Sequence, residues 1–142
     1  MKGKATPTSA VASAQQAAIM ERRKDVSNRV SETTRFIGFG LLATFYAIIS
    51  GTDPFFEGLR ANWTISLRLI ALAGAAAVLF DYLHYVFAYF SANRALTRAD
   101  VPNAYNTGWL TYRLEHVCFW TKQAAALLGC ILVLIMIGGS LG

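Results

Sequence analysis

Proline is scarce in this 142-residue chain, with 3 copies, and no evenly spaced turn signals divide it. That excludes a barrel of short alternating strands, which needs a turn after each strand. Cysteine occurs twice. Cys118 and Cys130 fall on one predicted helix about 18 Å apart along its axis, too far for a mutual disulfide, and read as small buried hydrophobes. Histidine also occurs twice, at His84 and His116. No glycine-rich loop of phosphate-cradling spacing is present, and no Ser or Cys has a base in a recognisable arrangement. The expectation is therefore a protein that is not an enzyme. The first residues, MKGKATPTSAVASA, lack the continuous apolar core of a signal peptide.

Acidic residues are few, 8 against 13 basic ones, for a net charge of +5. Such an excess suits a nucleic-acid binder only where the basic residues cluster among base-stacking aromatics. Here seven of them, Lys2, Lys4, Arg22, Arg23, Lys24, Arg29 and Arg35, precede the first hydrophobic run without interleaved aromatics. They read as the cytoplasmic flank of a membrane protein, and no nucleic-acid partner is expected.

What is abundant is apolar surface: 55% of residues are hydrophobic, 13% aromatic, and the mean hydropathy is +0.41. The apolar residues come in three blocks separated by charge or Pro/Asn clusters. This pattern predicts an all-α integral membrane protein, three transmembrane helices preceded by an N-terminal amphipathic helix, with the lipid bilayer as its first partner.

In chain order, residues 1–14 read as a disordered tail. Over 15–35, Ile19, Val26, Val30 and Ile37 recur at helical spacing against a face of Glu21, Arg22, Arg23, Lys24, Asp25 and Arg29, which predicts a cytoplasmic amphipathic helix on the membrane surface. The first span covers about 36–52, short for a crossing unless the preceding helix runs into it. Its Gly38 and Gly40 are best explained by close approach of a neighbouring helix. Residues 53–64 read as a short loop with interface aromatics, in which Asn62-Trp63-Thr64 is formally a glycosylation acceptor. The second span, about 69–90, begins with the small residues Ala71, Ala73, Gly74, Ala75, Ala76 and Ala77 and turns bulky and aromatic after Phe80. A polar connection leads to a third span over about 117–138, ending at Gly138-Gly139. Gly38, Gly40, Ala73, Gly74, Ala77 and Gly129 are the expected helix-packing positions. Basic residues counted in short flanks place the N-terminus and second connection in the cytoplasm and the C-terminus outside, as in a bacterial-type inner membrane.

The second span carries Asp81 and His84 inside its apolar run, where ionisable groups are functional suspects. With spans two and three as an antiparallel hairpin centred near Val101, Asp81 falls opposite about Trp120 and near Lys122, and His84 near Glu115 or His116. Two readings follow. Asp81 pairs with Lys122 and His84 with Glu115, because polar groups at membrane depth must find partners. Alternatively Asp81, His84, Glu115, His116 and Lys122 line or latch a proton or ion pathway, or some of them hold a metal. Against the metal, Glu115 and His116 are adjacent and point about 100° apart on a helix. No cofactor is specified, and no stretch carries a family signature. The leading expectation is a homo-oligomer that forms or gates an ion or proton pathway. The alternative is an accessory or scaffolding subunit of a larger membrane complex.

Overall fold

The computed structural model describes residues 7–96 and 110–140. Four helices account for them: α1 (Pro7–Ser50), α2 (Pro54–Asn62), α3 (Thr64–Leu96) and α4 (Leu110–Ser140). Three stretches, Lys24–Ser50, Thr64–Arg94 and Leu110–Ser140, are long and apolar enough to cross a membrane. The chain divides into two compact units, Met1–Glu32 and Thr33–Gly142. In the first unit residues 7–14, read from sequence as a disordered tail, are helical. Pro7 suits a first helical position, and the following alanines have the highest helix propensity of any residue. Residues 1–6 and most of the second connection, 97–109, lie outside the described residues.

The second unit holds the helices that pack on one another. Residues 53–64 are not a plain loop, because Pro54 fixes the first turn of α2, with Glu57 in its first turn and Arg60 in its last, where each favours the helix dipole. Leu59 is buried, and Phe56 and Trp63 pack against the core formed by Leu41, Ile48, Leu59, Leu67, Ile70 and Met136. Gly51 makes the turn into α2 possible, since a Cβ there would run into the Phe56 ring. At the far end, α4 continues through Gly138-Gly139 to Ser140, and a Cβ on Gly139 would meet the Trp63 indole at 2.7 Å. Gly139 therefore serves close packing on Trp63 rather than helix termination.

Arg60 closes the C-terminal end of α1. Its Nη1 lies within donating distance of the carbonyls of Ile48, Ile49 and Gly51, at 2.9, 3.0 and 2.5 Å. Carbonyls in the last turn of a helix have no intrahelical donor, so this guanidinium satisfies groups that lipid could not. Arg60→Met is expected to cost about 1–2 kcal/mol, read as earlier unfolding in an SDS titration and as faster hydrogen exchange at the end of α1, across 47–51. Unchanged exchange there would show that the cap is dispensable.

Buried positions recur at spacings of three, four or seven residues on each long helix: Thr34, Gly38, Leu41 and Ile48 on α1; Leu67, Ile70, Gly74, Ala77 and Asp81 on α3; Cys118, Lys122, Ala126, Gly129 and Met136 on α4. Small residues occupy the closest approaches. A Cβ on Gly74 would lie 2.9 Å from the Gly38 carbonyl oxygen, and one on Gly38 would lie 2.9 Å from Val78 Cγ2 and 3.1 Å from the Gly74 carbonyl oxygen. Leu41 sits over a floor made by Gly74 of α3 and Gly129 of α4, with Ala73 beside Gly129. Without water to drive apolar surfaces together, such backbone proximity is the main source of helix association in a bilayer. Gly40 departs from the expected packing role: nothing lies within 4 Å of a Cβ built on it, and it faces outward.

Candidate functional site: a charge cluster shared by three helices

The seam is apolar from the α2 end to Gly38, Ala77 and Ala126, and then turns polar. One helical turn further, α3 presents Asp81 and α4 presents Lys122, and Lys122 Nζ donates to Asp81 Oδ1 at 2.6 Å. Arg35 of α1 donates from Nε to Asp81 Oδ2 at 2.7 Å. One carboxylate thus ties three helices, each of its oxygens taken by a different cation. The Lys122 side chain is 0% exposed and that of Asp81 3%, while Arg35 is 44% exposed. Aromatic rings enclose the ammonium, whose Nζ lies 5.7 Å from the centre of the Tyr85 ring and 5.3 Å from that of Phe119. The Arg35 guanidinium stands 5.6 Å from the same Tyr85 ring. Ring quadrupoles add attraction for both cations. Beside the cluster, the Thr34 hydroxyl donates to Gln123 Oε1 at 2.8 Å, joining α1 to α4.

Of the residues singled out from sequence, Asp81 and Lys122 meet directly. His84 packs between Tyr85 and Phe119, with ring centres 5.4 and 5.6 Å away, and its Nδ1 is buried without a hydrogen-bond partner among the described residues. No hydrogen bond joins it to Glu115, so the expected His84–Glu115 pairing is replaced by aromatic packing. Phe119 takes up the facing position on α4. Glu115 lies toward Ser91, whose buried hydroxyl completes no bond of good geometry among the described residues. His116 is exposed, with the Tyr112 ring 4.8 Å away. Among the described residues no three of His, Cys, Asp and Glu are grouped so as to hold a metal ion, so the sequence set of Asp81, His84, Glu115 and His116 does not converge. Adjacent positions on one helix cannot turn two ligands the same way.

Arg35 and Tyr85 were not singled out from the sequence, although a signal for Arg35 exists. The counting that sets Asp81 near Lys122 across the second connection, applied about the middle of 53–64, sets Asp81 opposite Phe36, one residue from Arg35.

The register also fixes the depth of the cluster in any bilayer the helices cross. From Arg35 to Ser50, from Asp81 back to Thr64 and from Lys122 to Ser140 there are 15, 17 and 18 residues, or about 23–27 Å of helix, and Arg68 is the only Asp, Glu, Lys or Arg inside these stretches. A hydrocarbon core is about 30 Å thick. The cluster therefore sits close to the headgroup boundary on the side away from α2. Beyond it, α3 exposes Tyr82, Tyr85, Tyr89 and Phe90 and α4 exposes Trp120, the composition of an interfacial aromatic belt. Read along α3 alone, Asp81 is near the middle of the 69–90 apolar run. Aligned with α1, the aromatic third of that run reaches past the start of the uncharged stretch at Phe36.

On the outer surface of this unit, α1 and α4 flank an apolar groove of about 380 Å³, lined among others by Gly40, Thr44, Cys130 and Leu134. Gly40, Ala43 and Ala47 face outward and Thr44 is half-buried, giving α1 a shallow outer face of small residues.

No protein-family model, curated protein or solved structure matches the chain.

Proposed function

We propose that the chain is a small non-enzymatic membrane protein that works by assembling with copies of itself as a scaffold in the bilayer. The observation that carries this reading is the outward small face of α1. Gly40, Ala43, Thr44 and Ala47 are spaced three and four residues apart, and Gly40 has open space where a side chain would be. Small residues at this spacing let two identical helices cross closely, and a two-fold contact needs no partner of different shape. Gly74 and Gly129, by contrast, are used within the chain, Gly74 against the α1 backbone and Gly129 under Leu41. The basic N-terminal flank supports a cytoplasmic N-terminus, with 15–35 as an amphipathic helix at the membrane surface.

Native mass spectrometry of the chain released from lipid nanodiscs tests this. The wild type is expected as a closed homo-oligomer, and Gly40→Leu is expected to weaken assembly about tenfold or more, equivalent to about 1.4 kcal/mol. The stability of the single chain should stay within about 0.5 kcal/mol. A wild-type monomer would overturn the reading. A complex with another polypeptide would make the chain a subunit of that partner's assembly.

A second reading, an oligomer that forms or gates an ion or proton pathway, draws on the polar half of the seam. There the buried His84 Nδ1, Thr111 Oγ1 and Gln123 Nε2 have no hydrogen-bond partner among the described residues. Buried polar groups of this kind are commonly satisfied by water. From the charge cluster toward α2 the seam is closed by packed Gly38, Leu41, Gly74 and Gly129, so passage through the membrane would need the contact between copies. His84→Phe, which leaves the Asp81–Lys122 pair in place, should then abolish proton flux into liposomes holding the chain. Flux equal to the wild type would remove His84 from any pathway.

A further inference from the structure

Two cations, Arg35 and Lys122, converge on one carboxylate, and both oxygens of Asp81 are already engaged. Arg35 holds its positive charge at the edge of a low-dielectric slab, where a cation favours a facing anion. Lys122 cannot present its charge to the outside, being fully buried, with Asp81, Tyr85 and Phe119 against its ammonium. Arg35 can: its side chain is 44% exposed, and Asp81 engages its Nε, one of the five N–H donors a guanidinium carries. The Tyr85 ring and the carboxylate hold the guanidinium from the protein side, so an outside acceptor meets a fork that is already oriented.

We propose that Arg35, backed by Tyr85 and the Asp81–Lys122 pair, binds the phosphate of an anionic lipid headgroup. Three observations converge on that ligand. The exposed group is a cation and calls for an anion. Arginine matches phosphate oxygens with paired N–H donors, which makes it suited to phosphodiesters. The register puts the cluster at headgroup depth, beside the exposed Tyr82, Tyr85 and Tyr89, where lipid phosphates are concentrated and free anions must compete with them. Inorganic phosphate shares the recognising chemistry, so the source of the phosphate is what the experiment must separate. The site lies within one copy of the chain and does not depend on assembly.

The test uses the full-length chain in detergent micelles, observed by native mass spectrometry with dioleoyl phosphatidylglycerol, dioleoyl phosphatidylcholine or inorganic phosphate at matched concentration. The wild type should retain one phosphatidylglycerol per chain about fivefold more strongly than phosphatidylcholine, the effect of one basic side chain on an anionic headgroup. Arg35→Gln should reduce that preference to about onefold, while Arg35→Lys keeps part of it. Equal retention of the two lipids by the wild type would overturn the proposal, and that comparison stands even if Arg35→Gln fails to fold. An undiminished preference in a folded Arg35→Gln chain would also overturn it. Complete displacement of the lipid by inorganic phosphate would assign the site to a soluble anion and overturn the lipid source.

Discussion

Replacing Asp81 by Asn should cost this protein about 3–5 kcal/mol of stability, the loss expected when one member of a buried ion pair is removed and its partner is left behind. The partner left behind is Lys122, fully buried, with rings on two sides. Asparagine keeps the shape and one acceptor but not the charge, so the ammonium keeps its desolvation cost and loses its compensation. SDS-titration unfolding followed by tryptophan fluorescence would measure the effect. The double variant Asp81→Asn/Lys122→Met should recover most of the loss, because no buried charge then remains. Arg35→Gln should cost only about 1 kcal/mol or less, since its half-exposed side chain is screened and solvated. If Asp81→Asn unfolds at the wild-type SDS fraction, the carboxylate does not hold the three helices together.

Gly74→Leu is the second substitution with a large expected effect, about 3 kcal/mol or more, at the upper end of overpacking costs. The obstacle is the Gly38 carbonyl oxygen, 2.9 Å from where the first side-chain carbon would stand, with Leu41 Cβ at 3.0 Å. A backbone oxygen cannot rotate away, so α1 and α3 must separate along their length. Gly129→Ala meets a different obstacle, the flexible end of the Leu41 side chain. Combining it with Leu41→Ala should therefore restore part of the stability, whereas no truncation of a side chain should rescue Gly74→Leu. Circular dichroism and SDS unfolding of the four variants would decide this. Equal rescue of both would mean that the α1–α3 backbones are not in contact at this point. Gly40→Leu is the control, changing size by the same amount on the outward face.

The architecture was legible because membrane-spanning helices are written locally. Apolar runs of sufficient length, broken by Asp53-Pro54 and by the polar connection after Phe90, specify three crossings without knowledge of any contact. Helix ends were less legible. Over 7–14 the polar residues hide the helix propensity of the alanines, and over 53–64 one short amphipathic turn gives little periodic signal. The Asp81–Lys122 juxtaposition was readable to within a helical turn, since a hairpin sets equal distances from its connection at equal depth. The fate of His84 was not, because whether a ring meets Glu115 or Phe119 depends on a rotation of about 100° per residue that counting cannot resolve.

The glycines show the same division. Gly38, Gly40, Gly74 and Gly129 look alike in a sequence, each a small residue in an apolar run. Only the packed helices show that three are filled by neighbours and that Gly40 is left open. By itself the sequence determined the number of spans, their polarity and the presence of ionisable groups among apolar ones, all properties of single segments in lipid. The tertiary structure alone decided that Arg35 joins Asp81, that the cluster lies at one end of the uncharged part of the helix seam rather than at its middle, and that Tyr85 and Phe119 flank its cations. Each of these depends on the register between helices, which is set by how backbones nest at small residues and leaves no trace along any one of them.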